Sequence, residues 1–136
     1  MRIMLDTNIL ISAGIFHGVV ANAVDVISNS HKVVISSFAV EELWRVTNLK
    51  FPNYKNIIEL FLHNLAFELA YTPLVIDVRE YPQIRDIKDY PILVSAIIAD
   101  VDILITGDRD FELVNIERPE ILTMRGFLEK YSDSDS

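Results

Sequence analysis

Five short apolar runs punctuate the chain, at residues 2–5 (RIML), 32–36 (KVVIS), 73–76 (PLVI), 102–106 (DILIT) and 119–123 (PEILT), each of strand length and rich in Ile, Leu and Val. The stretches between them carry a different period. Val20, Ala23, Val24 and Ile27 recur at i, i+3, i+4 and i+7, and so do Ile58, Phe61, Leu62 and Leu65, which is the stripe of a helix with one buried face. Ala39, Leu43 and Val46 mark a further helix after the second run, and residues 91–99 (PILVSAIIA) are apolar all round, as in a helix covered on both sides. A helix predicted over about 54–70 holds more apolar residues than one face needs, because Ile57, Leu60 and Phe67 fall off its stripe. Burial on two sides accounts for them, and a surface that meets another protein is the alternative. Strands alternating with helices predict an α/β domain with a mainly parallel sheet and right-handed crossovers.

At 136 residues, 51% of them hydrophobic, the chain has the length of one domain and enough apolar surface for a core. Cysteine is absent, which excludes disulfides and thiolate zinc sites, and His17, His31 and His63 are too scattered to pair as ligands. The opening MRIMLDTN meets charge before a signal-type segment can form, and no run approaches the roughly 20 apolar residues that cross a bilayer. A soluble, cytoplasmic protein without a membrane partner is expected. The domain is expected over 1–130, with a disordered tail at 131–136 around SDSDS.

A formal charge of −8 sits badly with binding a polyanion until its distribution is considered. Asp133 and Asp135 account for two of those charges and five acids discussed next for another five, which leaves one. In an open α/β sheet, ligands bind outside the carboxyl ends of the strands. Asp6 directly follows the first strand and Asp108 follows ILIT by one glycine. Asp89 opens the helix that feeds the fourth strand, with Pro91 in its first turn, and Glu42 lies in the first two turns after the second strand. Glu42 borders the stripe of Ala39, Leu43 and Val46, whereas Glu41 faces nearly the opposite way and needs only water. Each acid alone has a plain structural explanation, Asp6 and Asp89 as helix caps and Asp108 and Asp110 as turn formers beside Gly107. Caps and turns need not share one rim, however, and two unit charges 4 Å apart repel by about 4 kcal/mol at an effective dielectric of 20. Such a cluster calls for a cation, and an all-oxygen donor set suits Mg²⁺ or Mn²⁺ rather than Zn²⁺.

MLDTNILISA at 4–13, EEL at 41–43, DIKDYPILVSA at 86–96 and TGDRDF at 106–111 together resemble the PIN domain family, and within it the toxins of bacterial and archaeal toxin–antitoxin pairs. The resemblance extends to about residue 128 and rests on four weak motifs in the right order and spacing. It implies a five-stranded parallel sheet in a three-layer sandwich and a magnesium-dependent ribonuclease. The family's acidic positions fall on Asp6, Glu42, Asp89 and Asp108, with Asp110 a frequent addition. Thr7, Asn8 and Thr106 match polar positions that line its site. Asp86 reads as a supporting or loop residue.

On this reading Asp6, Asp89 and Asp108 hold the metal, with Glu42 and Asp110 completing the catalytic set, while Asn8, Thr106 and Arg109 contact the substrate. Arg45, Arg85 and Lys88 are further candidates for phosphate contacts, each otherwise an ordinary solvated charge. Trp44 and Tyr90 are candidates for base stacking, each otherwise a packing residue. The expected partners are RNA, a cognate antitoxin and a second copy of the chain in a dimer. A catalytically idle PIN-like module that binds RNA or protein is the second reading. A phosphoacceptor receiver domain is disfavoured, because Asp6 is followed by Thr7 rather than a second acid and TMRG follows the last strand in place of a lysine. Relief of repulsion in the cluster makes Asp6→Asn an expected stabiliser of the metal-free protein.

Overall fold

A computed structural model describes residues 1–131. The apolar runs form β1 (Arg2–Leu5), β2 (Lys32–Ser36), β4 (Ile103–Ile105) and β5 (Glu120–Leu122), all parallel, and the edge strand β3 (Phe67–Ala70) completes the order β3-β2-β1-β4-β5. Ile3 stands opposite Val33 on one side and Ile103 on the other. Both faces of β1 and β4 are covered, which is why Ile3, Met4, Leu5, Ile103, Leu104 and Ile105 run without a polar break.

Among the described residues, six helices flank this sheet in the three-layer arrangement expected: α1 (Thr7–Ile15), α2 (Val19–Ser30), α3 (Ser37–Lys50), α4 (Lys55–Asn64), α5 (Tyr90–Ile98) and α6 (Met124–Tyr131). Their buried residues follow the predicted stripes. Ala23, Val24 and Ile27 are buried on α2, Ala39 and Leu43 on α3, and Ile92 through Ala96 on α5. Among the described residues, no single helix is long and apolar enough to cross a membrane. Of the tail expected over 131–136, only Tyr131 is described, and it ends α6 with its hydroxyl on Glu120; 132–136 lie outside the described residues.

Two expectations fail together around the third strand. PLVI at 73–76 is not a strand, and Leu74 and Val75 are exposed on the surface. The helix predicted to reach residue 70 stops at Asn64, where Leu65 turns extended, and Phe67–Ala70 pairs with Val33–Ser36 in its place. The reason is that β3 is an edge strand. None of its side chains is fully buried, so it needs no apolar run, and the carboxylate of Glu68 is held by the two terminal guanidinium nitrogens of Arg2 at 2.7 and 3.0 Å. Ile57 and Leu60 are likewise exposed on α4 rather than buried on two sides.

The chain leaves β1 in one direction through β2 to β3, then returns past it to β4 and β5. The reversal puts a topological switch point between β1 and β4, and a crevice opens there beyond the strands' carboxyl ends.

Candidate metal centre at the carboxyl edge of the sheet

Asp6 is the residue that β1 delivers to this crevice. Its N–H continues the sheet by donating to the Ile105 carbonyl at 3.0 Å. Its side chain is almost fully buried, with one oxygen accepting from the Thr7 N–H and the other from the Thr106 hydroxyl, both at 2.6 Å. Asp6 therefore does cap α1, as the plain explanation for it requires. Burial raises its pKa above the ordinary carboxylate value, the two hydrogen bonds oppose that rise, and the charges of Asp108 and Glu42 add to it.

Asp108 stands at the end of β4, where one of its oxygens accepts from the Asp110 N–H at 2.9 Å and so turns the chain through Arg109–Phe111. Thr106, 2% exposed, donates its only hydroxyl proton to Asp6 and accepts from the Asp108 N–H at 3.0 Å. That leaves it no donor for a substrate. Its place is to hold the two aspartates in register.

Asp89 differs from both. At the start of α5 it makes no side-chain cap, and among the described residues its Oδ2 atom is buried without a hydrogen-bond partner. Desolvation, then the charge of Asp108 and the nearness of the Asp110 and Asp108 carboxyls, push its pKa up to about 7. Asp86, Asp89 and Asp110 bring one carboxylate oxygen each within 4.8 Å of one another. Asp86 thus comes closer to the cluster than its sequence reading allowed. The signal in the sequence was its spacing of three from Asp89, which a single tight turn over Ile87–Asp89 converts into proximity.

Asp6, Thr7, Asn8, Glu42, Asp89 and Asp108 line one cleft with Arg45 and Lys88. Three cations beside this rim face acids of it: Arg45 donates to Glu42 at 2.7 Å, Lys88 lies 3.4 Å from Asp86 and Arg85 lies 3.6 Å from Asp110. Arg109 does not join them. It is largely exposed, pairs with Glu112 at 3.1 Å and is absent from the lining of the cleft. Trp44 is half-buried against the core and does not line the cleft, and Tyr90 is buried with its hydroxyl on the Pro82 carbonyl.

The donor set fits a hard divalent cation. All the acids offer oxygen, an unpartnered carboxylate atom lies among them, and the cluster holds more negative charge than its neighbouring cations neutralise in contact.

A family model described as the PIN domain matches residues 2–110. Among solved structures, the chain is similar to that described as VapBC2 from Rickettsia felis bound to a DNA fragment from their promoter, at a TM-score of 0.66 and 22% identity. That match covers 90% of this chain and 97% of the other. No curated protein matches the chain.

Proposed function

The chain belongs to the PIN domain family, and from that premise we propose that it is a metal-dependent endoribonuclease that hydrolyses RNA phosphodiesters, serving in the cytoplasm as the toxin of a toxin–antitoxin pair. The observation that carries this reading is the buried, unpartnered Oδ2 of Asp89 beside Asp108 and Asp110, a carboxylate left without the hydrogen bond that a merely structural one would have.

Asp6, Asp89 and Asp108 would hold Mg²⁺ or Mn²⁺, with Glu42, Asp110 and Asp86 around them. The bound ion would supply a water of lowered pKa and charge stabilisation at the phosphoryl oxygens. The chain's own residues do the positioning. Thr106 and the Thr7 N–H fix the plane of the Asp6 carboxylate, and the Asp110 N–H fixes that of Asp108. Asn8, exposed at the mouth of the cleft, and Arg45 and Lys88 in its wall supply donors for the phosphates on either side of the cleaved bond. The exposed Ile57 and Leu60 on α4, together with the fold likeness to VapBC2, support partners for the protein: a cognate antitoxin and a second copy of the chain.

The deciding experiment is cleavage of a labelled single-stranded RNA with Mn²⁺, with EDTA, and with the Asp89→Asn and Asp6→Asn variants. Internal cuts are expected with Mn²⁺ alone. Cutting that survives EDTA, or that either variant retains in full, rules the reading out, and complete inertness of the wild type leaves a binding module in its place.

A further inference from the structure

Three clefts follow one another along the carboxyl edge of the sheet in strand order. Beyond β2 and β3 lies one that includes Ser37, Phe38 and Thr72. The acidic cleft beyond β1 shares Phe38 and Pro91 with it. Beyond β4 and β5 lies a third, reached through Asp108 and bordered by Thr106 and Thr123. The result is a trough transverse to the strands with the aspartates at its middle, a shape that a single nucleic-acid strand can follow.

The third cleft has a chemistry of its own. Phe111, Val114 and Ile121 give it apolar walls, Glu112, Glu117 and Glu120 give it three carboxylates, and among the described residues no lysine or arginine lines it. Two of the carboxylates are already engaged. Glu120 accepts from Lys130 and from the Tyr131 hydroxyl, and Glu112 pairs with Arg109. Glu117 is exposed and, among the described residues, pairs with no cation.

We propose that this cleft takes the nucleobase next to the cleaved phosphate, and that Glu117 reads the base's hydrogen-bonding edge in favour of guanine. The inference rests on the RNA-hydrolase reading for its orientation. The cleft offers a phosphate no lysine or arginine in its lining and sets the unpaired charge of Glu117 against it, so the part of a nucleotide that fits here is the base, whose flat faces pack on apolar side chains. An ionised carboxylate only accepts hydrogen bonds. Guanine presents N1–H and the 2-amino group side by side and can donate to both oxygens of one carboxylate. Adenine and cytosine place an acceptor beside their amino group, and uracil holds its one N–H between two carbonyls, so each sets a lone pair against the second oxygen.

The test is a titration of ¹⁵N-labelled protein with guanosine and with uridine, read by amide chemical shifts, beside cleavage of two RNAs that differ only in one guanosine replaced by uridine. Guanosine is expected to move the amides of Glu117 and Ile121 and to bind at least about fivefold more tightly than uridine, as a good bidentate pair discriminates. Cuts should fall beside the guanosine. Glu117→Gln sets an amide donor against the base's donors and is expected to abolish the ratio. Equal binding of the two nucleosides, shifts confined to another part of the molecule, or an unchanged ratio in Glu117→Gln would overturn the proposal. Guanosine binding without cleavage of any RNA supports the pocket and overturns the hydrolase, whereas cleavage without guanosine selectivity overturns the pocket and leaves the hydrolase standing.

Discussion

Asp6 and Asp89 belong to one cluster, yet replacing each by asparagine poses a different problem. Asp89 Oδ2 has no partner, and its charge is disfavoured by burial and by Asp108 and Asp110. Asparagine there removes the repulsion and loses no hydrogen bond, so metal-free Asp89→Asn is expected to melt above the wild type at neutral pH in scanning calorimetry. A lower melting temperature would make that carboxylate structural. Asp6→Asn relieves repulsion too, but it turns an amide NH₂ toward the Thr7 N–H or the Thr106 hydroxyl and leaves a buried donor unpaired, at about 1–3 kcal/mol. The stabilisation expected of Asp6→Asn from the sequence is therefore offset, and calorimetry should find its melting temperature close to the wild type's. At this scale the sequence was legible wherever a residue follows a strand directly, as Asp6 does, because strand ends fix the rim. Arg109 was misplaced because its direction depends on Glu112, one helical turn away, rather than on the aspartates flanking it.

Between residue and fold stands a hydroxyl latch that ties three elements together at the site's margin. Thr72, just after β3, accepts from the Phe38 N–H at 3.2 Å at the start of α3, bonds the buried Ser95 hydroxyl of α5 at 2.7 Å, and takes the Ser37 oxygen on its own N–H at 2.9 Å. Thr72→Val keeps the shape but strands the Ser95 hydroxyl and the Phe38 N–H. A loss of about 1–3 kcal/mol is expected from urea unfolding. An unchanged midpoint would show that water replaces the latch. The latch also bears on what the chain's pattern could not reveal. PLVI at 73–76 reads as a strand by composition, but the connection from β3 to α5 passes over the surface here, anchored by Thr72 rather than by sheet pairing. Burial in the completed fold, which the one-dimensional pattern does not contain, makes a strand of Phe67–Ala70, which reads as the end of a helix, and leaves PLVI unpaired. The central strands and α5 were legible because both of their faces are covered and their inner positions, Ser95 apart, are apolar.

Across the whole molecule the acidic rim links stability to pH and to metal in opposite senses. The Asp89 carboxyl is pushed up to about 7 in the folded chain from an ordinary 3.8, and Asp6 is raised as well, so the folded state takes up protons that the unfolded state releases. Metal-free stability should accordingly increase as pH falls from about 8 through 7, because a raised carboxyl contributes most below its unfolded value and loses that contribution as pH rises through the folded one. Asp77 and Asp86, whose pKa values are lowered by backbone and side-chain hydrogen bonds, work the other way and weaken the fold only at still lower pH. A divalent ion must displace the Asp89 proton to use that oxygen, so its binding releases protons and weakens as pH drops. Since a ligand stabilises by RT ln(1 + [L]/Kd), the rise in melting temperature at a fixed Mn²⁺ concentration is expected to be larger near pH 8 than near pH 6. In Asp89→Asn that difference should vanish along with most of the shift. Thermal scans at the two pH values, with Mn²⁺ and with EDTA, separate this from nonspecific screening, which stabilises an acidic protein whether or not Asp89 can ionise and is reproduced by a monovalent salt of equal ionic strength. A Mn²⁺ shift of equal size at both pH values would place the ion somewhere other than on Asp89.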